Sequence, residues 1–399
     1  MAAASRPLKI FISTGEVSGD LQGALLVSAL QRQAQAQGIA VDITALGGDR
    51  MAAAGATLVG HTTAIGSVGI LEALPYVLPT LQVQRRAQRH LHQQPPDLIV
   101  YIDYMGPNLT LGRFVDQHLP QVPKIYYIAP QQWVWAFSEK DTTALVAMTD
   151  AMVAIFPQEA DYYRRFGAQV QYFGHPLVDR FSPPPDRASA RAQLGLGAGD
   201  RVVTLVPASR RQEMVYVLPL MLAAATHIQA AVPEVKFLLP VSRPSLRSGL
   251  AAAIARSGLP ITLVDEETQA AIAAADVALT KSGTVNLEMA LMQVPQVVTY
   301  RVNPITARLA YYLLKFKVSF VSPVNLALGE ALVPEFIQWQ ATPTALATAT
   351  VALLAGPQRE QMLAGYGRLR QALGEPGVCD RVAQSLLRQA QPETGAIAP

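Results

Sequence analysis

Carboxylates, arginines and small polar turns at the ends of apolar runs are where this chain could do chemistry. The run Leu98–Ile102 ends in Asp103, followed by Tyr104-Met105-Gly106-Pro107-Asn108. A carboxylate at the C-terminal end of a parallel strand points into the crevice where such sheets bind ligands. There it can serve as a general base, a task worth about 10²–10⁴-fold in rate. The plainer reading is a loop carboxylate that ties down the Gly-Pro turn. A second acidic segment, Gly15-Glu16-Val17-Ser18-Gly19-Asp20, follows the first apolar run and leads into a helix. Its glycine spacing is not the dinucleotide fingerprint, and its acidic side chains repel phosphate. Glu16, Ser18 and Asp20 suit sugar hydroxyls; alternatively, Ser18 or Asp20 caps the following helix.

Cationic and hydroxyl-bearing turns gather in the second half. Val206-Pro207-Ala208-Ser209-Arg210-Arg211-Gln212-Glu213 joins an apolar run to a helical one. That geometry aims Ser209 and one arginine at an anion near a helix N-terminus. Thr280-Lys281-Ser282-Gly283-Thr284-Val285-Asn286-Leu287-Glu288 repeats the arrangement. Gly283 permits close approach, Ser282 and Thr284 donate hydroxyls, and Asn286 and Glu288 lie one turn on, with Glu288 in reach of ribose. The alternative is a Thr-capped helix with a solvated Lys281. Read together, these turns form a metal-free cradle for a departing nucleoside diphosphate. No Asp-X-Asp pair, zinc pattern or Walker pattern occurs, so neither metal nor cofactor is expected. His175, in Gly174-His175-Pro176-Leu177, is a further candidate ligand contact, although histidines at turns are more often structural. Trp133 and Trp135 either floor a sugar or acyl pocket or wedge the core.

The elements that must position these residues are legible from hydrophobic patterning. With 399 residues, half of them hydrophobic and 15% charged, the chain has material for two cores. Leu8–Thr14, Val41–Leu46, Leu98–Ile102, Lys124–Ile128, Ala151–Ile155 and Gln169–Phe173 are continuous apolar runs, the pattern of parallel strands covered on both faces. Arg201–Val206, Val235–Leu239, Ile261–Val264, Val277–Thr280 and Gln296–Tyr300 form a second series, after the Pro-rich stretch 182–186. Helical patterns intervene, as in Leu21–Gln35. The prediction is an α/β chain of two doubly wound, Rossmann-like domains facing across a cleft. The expected bounds are 1–178 and 187–335, with 336–399 a helical segment packing back on the first domain.

A net charge of +3 without a basic block makes nucleic acid an unexpected partner. The single cysteine, Cys379, excludes an intrachain disulfide, and no run of residues reaches the roughly 20 needed to span a bilayer. The segment 64–89 is apolar at first and closes with Arg85, Arg86 and Arg89, which suits a membrane surface or a covered helix with a solvated end. Arg308 and Lys315, beside Leu309, Tyr311, Tyr312 and Leu313, support the surface reading more weakly.

Eight ordered segments resemble the lipid-A-disaccharide synthase family: GEVSGD (15–20), IDYMGPN (102–108), APQQWVW (129–135), FPQE (156–159), GHPLVD (174–179), PASRRQE (207–213), KSGTVNLE (281–288) and VNLALGE (324–330). The resemblance implies a GT-B fold and inverting transfer from UDP-2,3-diacylglucosamine to 2,3-diacylglucosamine 1-phosphate. The product would be a β-1,6-linked disaccharide. It also implies that Asp103 is the essential acidic residue, Arg210 the key arginine and Asn325 a functional asparagine. A C-terminal segment returning to the first domain and peripheral attachment to the cytosolic membrane face follow from it too, and a homodimer is left open. Two departures stand out: Ala208 replaces a frequent glycine, and AFSEKD after Trp135 is less basic than usual. The alternatives are another GT-B UDP-sugar enzyme, such as an epimerase or lipid-intermediate transferase, or a non-catalytic relative that binds lipid or nucleotide.

Overall fold

The computed structural model describes residues 6–63, 76–136, 138–265, 267–304, 306–308 and 319–391. Residues 64–75 and 309–318, which carry much of the two surface segments expected from sequence, lie outside the described residues. The chain forms two compact units, one of Met1–Asp179 with Gly374–Pro399 and one of Arg180–Leu373.

Unit 1 is built on seven strands: β1 (Leu8–Ser13), β2 (Val41–Gly47), β3 (Thr57–His61), β4 (Leu98–Ile102), β5 (Lys124–Tyr127), β6 (Ala151–Ala154) and β7 (Val170–Tyr172). They pair in parallel in the order β3-β2-β1-β4-β5-β6-β7. Every residue of β4 and β5 is buried, which is why these strands read as apolar or aromatic runs apart from Lys124, which pairs with Asp116 at 3.1 Å. Phe11, Leu46, Tyr101, Leu111 and Tyr126 belong to one core cluster between this sheet and its helices.

Unit 2 carries β8 (Val202–Val206), β9 (Lys236–Pro240), β10 (Ile261–Val264), β11 (Val277–Lys281), β12 (Gln296–Tyr300) and β13 (Glu335–Ile337), ordered β10-β9-β8-β11-β12-β13 and again parallel. In both sheets the winding reverses beside the first strand, between β1 and β4 and between β8 and β11. Such reversal points leave a crevice at the strands' C-terminal ends.

The unit boundary corrects the sequence reading in two places. Residues 182–186 belong to unit 2, where Asp186 caps the helix Arg187–Gln193 by accepting from Ser189 N at 2.8 Å. Residues 336–373 also stay with unit 2: helix Pro343–Ala352 packs on Leu218–Ala231, and Pro357–Ala372 on Pro323–Leu328. Only the tail from Gly374 joins unit 1. Its helix, Val378–Ala390, packs on Val17–Ala36 and is capped by Asp179, which accepts from Gly377, Val378 and Cys379 N at 2.6, 3.1 and 2.7 Å.

Candidate active site

In unit 1 the reversal point brings the end of β1 beside the end of β4, and Asp103 stands there half-buried. Asp103 and Tyr104 both have left-handed backbones, with φ of 46° and 53°. Such strain persists only where the surroundings enforce it, and it clusters at functional sites. The enforcing contacts are specific. Asp103 N donates to Ile128 O at 2.9 Å, while Asp103 O accepts from Asn108 Nδ2 at 2.7 Å and from Tyr126 Oη at 2.5 Å. Asn108 is fully buried and is itself oriented by Ser13 Oγ, which donates to its Oδ1 at 2.6 Å. Asn108 and Tyr126 therefore position Asp103; the sequence signal was only that Asn108 closes the same motif.

The neighbouring residues differ in their surroundings. Glu16 is the N-cap position of helix Val17–Ala36 but makes no side-chain cap bond, and Ser18 is half-exposed in the first turn. Gly15 has no room for a side chain, because a Cβ there would lie 2.0 Å from the Tyr104 ring. Asp20, for which sugar contact and helix capping were both expected readings, makes capping bonds. It is buried, and its carboxylate accepts from Gly48, Arg50 and Met51 N at 2.8, 3.2 and 3.1 Å, capping the short helix Asp49–Ala53 rather than its own.

His175, expected as a candidate ligand contact, lies in the interior of unit 1. Its ring is 2% exposed, packs 5.2 Å from the Phe156 ring, and accepts at Nδ1 from Leu177 N at 3.2 Å. Burial pushes its pKa down to about 3, so the imidazole is neutral in neutral solution.

Glu159, in the FPQE segment, was missed as a site residue. It is buried and accepts from Ala129 N at 3.0 Å, Ile155 N at 2.9 Å and Phe156 N at 3.3 Å, holding the tryptophan-bearing loop next to Ile128. In that loop Trp133 packs 5.6 Å from the Phe156 ring. Burial pushes the Glu159 carboxyl up to about 7, against the three N–H donors that pull it down. The folded protein thus keeps a proton that the unfolded chain releases near the ordinary value of 4.5. Stability from this group is full below that ordinary value and is lost as pH rises through the folded value. The Glu159→Gln variant has no such titration. In denaturant unfolding, wild type should lose about 3 kcal/mol relative to the variant between acid and mildly alkaline pH. A difference that stays flat with pH would show that the carboxyl titrates alike in the folded and the unfolded chain.

In unit 2 the reversal point joins the β8 and β11 turns. Arg210 is the N-cap residue of the helix Arg211–Tyr216, with its side chain about a quarter exposed. Lys281, expected to be solvated if merely structural, is buried at the end of β11. Glu213 collects both turns. It is 2% exposed and accepts at Oε2 from Ser209 N at 2.6 Å, Arg210 N at 3.0 Å and Ser209 Oγ at 3.3 Å. Its Oε1 lies 3.1 Å from Lys281 Nζ and 3.8 Å from Arg210 Nη1. Sequence reading took Glu213 for the end of a motif and missed it as the hub.

The second turn is rigid rather than open. Gly283 has φ of 152°, a backbone that favours glycine, and its N donates to Asn286 Oδ1 at 3.0 Å. Asn286, fully buried, also donates to Lys281 O at 3.1 Å, so it pins the turn instead of presenting an amide to ligand. The Ser282 hydroxyl, expected to donate outward, donates to Val321 O at 2.6 Å. Thr284 is half-exposed at the head of helix Val285–Leu291, a helix of only seven residues. So short a helix offers a weak dipole, and the cations carry more of the positive potential. Glu288, with 12% of its side chain exposed, lies 3.7 Å from Arg180.

Asn325, which the resemblance makes a functional asparagine, lies inside a hydrogen-bond network. It is 1% exposed, and its amide accepts from Leu332 and Val333 N at 2.9 Å each and donates to Val333 O at 2.8 Å and Glu335 Oε1 at 2.7 Å. All four of its hydrogen-bonding places are taken. Glu335 in turn accepts from Val321 and Ser322 N at 2.8 and 2.9 Å, and Val321 is the residue that receives Ser282. The chain Asn325–Glu335–Val321–Ser282 braces the Lys281–Gly283 turn.

A family model described as lipid-A-disaccharide synthetase matches residues 10–388. The chain is 49% identical to the lipid-A-disaccharide synthase of Gloeothece citriformis over 381 residues, 95% of this chain and 99% of that one. It is 49% identical to that of Synechocystis sp. over 386 residues (96% and 98%), and 34% identical to that of Geobacter sulfurreducens over 380 (95% and 96%). Among solved structures it is similar to the UDP-GlcNAc 2-epimerase from Neisseria meningitidis bound to UDP-GlcNAc, with a TM-score of 0.64, 10% identity and coverage of 96% of this chain and 100% of that one. The glycosyltransferase of kitacinnamycin gives a TM-score of 0.60 at 17% identity, covering 96% and 100%. At such identities the structural likeness speaks for fold alone.

Proposed function

The chain belongs to the lipid-A-disaccharide synthase family, and from that premise we propose how its two units divide the work of the reaction. Its fold is GT-B, it is a glycosyltransferase, and its reaction forms the lipid A disaccharide from a UDP-sugar donor.

In the proposed division, unit 2 holds UDP-2,3-diacylglucosamine by its diphosphate, against Arg210, Lys281 and the Ser282–Thr284 turn, with Glu288 near the ribose. Unit 1 receives 2,3-diacylglucosamine 1-phosphate. Asp103 takes the proton from its 6-hydroxyl as that oxygen attacks the anomeric carbon. The bond to the UDP oxygen breaks as the new one forms, so the centre inverts and the product is β-1,6-linked. The departing diphosphate gains negative charge at that moment, and preorganised donors aimed at it are worth about 3–4 kcal/mol each in comparable roles. One observation carries the reading: an aspartate on a strained backbone at one reversal point, and a buried lysine beside a part-buried arginine at the other.

Lipid substrates call for access to a membrane surface. No helix among the described residues is long and apolar enough to cross a membrane. On helix Val77–Gln93, however, Val77, Leu78 and Leu81 are exposed by 48%, 70% and 45% and lead into exposed Arg85, Arg86 and Arg89. An apolar stripe with a basic edge supports peripheral attachment to anionic lipid at the cytosolic face. Mass spectrometry of products from UDP-diacylglucosamine with diacylglucosamine 1-phosphate tests the whole assignment. The expected result is a disaccharide monophosphate plus UDP. Hydrolysis or epimerisation of the donor, with the acceptor untouched, would replace this reading by a different UDP-sugar enzyme.

A further inference from the structure

We propose that Glu213 is an internal counter-anion that sets how tightly unit 2 holds a nucleoside diphosphate. The inference rests on the reading that the diphosphate binds beside Arg210 and Lys281. The two oxygens of the carboxylate have different surroundings. Oε2 receives three hydrogen bonds, from Ser209 N, Arg210 N and Ser209 Oγ, and so shapes the loop. Oε1 is buried and takes no hydrogen bond, yet it lies 3.1 Å from Lys281 Nζ and 3.8 Å from Arg210 Nη1. One oxygen therefore does a job that any acceptor could do, and the other acts by charge.

Two cations around one buried anion leave the unliganded cradle with only a small excess of positive charge. That arrangement spares Lys281, with 10% of its side chain exposed, the cost of standing unpaired in a site of low polarity. It also works against the ligand. An arriving diphosphate must share cations that Glu213 already engages, and it meets a fixed negative charge behind them. Glu213 thus trades affinity for a preformed site and for release of the product nucleotide.

Two substitutions separate the oxygens. Glu213→Gln keeps an acceptor for the loop N–H groups and removes the negative charge. Glu213→Ala removes both. On the full chain, titration calorimetry with UDP should show Glu213→Gln binding at least about tenfold tighter than wild type, since one charge–charge interaction at this depth is worth such a step or more. Glu213→Ala should bind UDP more weakly than wild type. Uridine, which lacks phosphate, should bind wild type and Glu213→Gln alike. A residue that merely supports the loop would leave Glu213→Gln binding UDP no tighter than wild type, and that result overturns the proposal. So does an equal gain for uridine, or a Glu213→Gln chain that fails to fold by circular dichroism, because the amide oxygen is claimed to suffice for the loop. Should Arg210→Ala leave UDP affinity untouched, the placement of the diphosphate itself falls, a failure distinct from either of these.

Discussion

Asp103→Asn is expected to lower turnover by about 10²–10⁴-fold while leaving UDP affinity unchanged, the span a general base contributes. Asparagine is the informative replacement because the site is strained. Position 103 holds φ of 46°, a left-handed backbone that asparagine and aspartate adopt more readily than other side-chain-bearing residues. The contacts that enforce it are made by main-chain atoms of residue 103, through Ile128, Asn108 and Tyr126, and survive the change. What disappears is the capacity to accept a proton from the attacking hydroxyl. UDP binding belongs to unit 2 in this scheme and should not register the loss. Steady-state rates with saturating donor and acceptor, alongside UDP calorimetry, make the comparison. Near-normal turnover would remove Asp103 from the chemistry.

Arg210→Ala should act on binding and turnover together, weakening UDP by roughly 10²-fold and lowering kcat by about 10²–10³-fold, the range seen when one preorganised donor to a developing anion is removed. The main chain at 210 is the N-cap residue, and its N–H donates to Glu213 whatever the side chain, so the loop should keep its shape. The guanidinium stands about a quarter exposed beside a buried carboxylate. Removing it leaves Glu213 paired with Lys281 at 3.1 Å, so the loss should appear in ligand affinity and rate with little change in melting temperature. Unchanged UDP affinity in this variant would require another residue for the leaving group.

Much of the scaffold could be read directly from the residues. Eleven strands stand out as apolar runs because parallel strands covered on both faces have no polar side to interrupt them. The two that were missed, β3 and β13, are edge strands. Thr57–His61 is partly exposed along most of its length, and Glu335–Ile337 has only three residues, so neither builds a run long enough to notice. The candidate residues were legible for a related reason: Asp103, Arg210 and Lys281 each sit at or just past a strand's end, and in a doubly wound sheet strand ends are where ligands bind.

Which polar side chain in each motif faces a ligand was not legible. Asp20, His175, Asn286 and Asn325 have the composition of binding residues, but each hydrogen-bonds within the protein, and Asn325 has all four of its places taken there. Two of those partners, Gly48 and Val333, are 28 and 8 residues away along the chain. Glu159, Glu213 and Asn108 were passed over although each organises a site. A sequence shows that a group can donate or accept; only folding decides which loops come within about 3 Å of it, and a buried polar group takes whatever partner is there. Local chain chemistry thus determined the two sheets, their polarity and the ends at which reaction can occur. The three-dimensional packing decided which polar side chains brace the turns, because a hydrogen-bond partner is a neighbour in space.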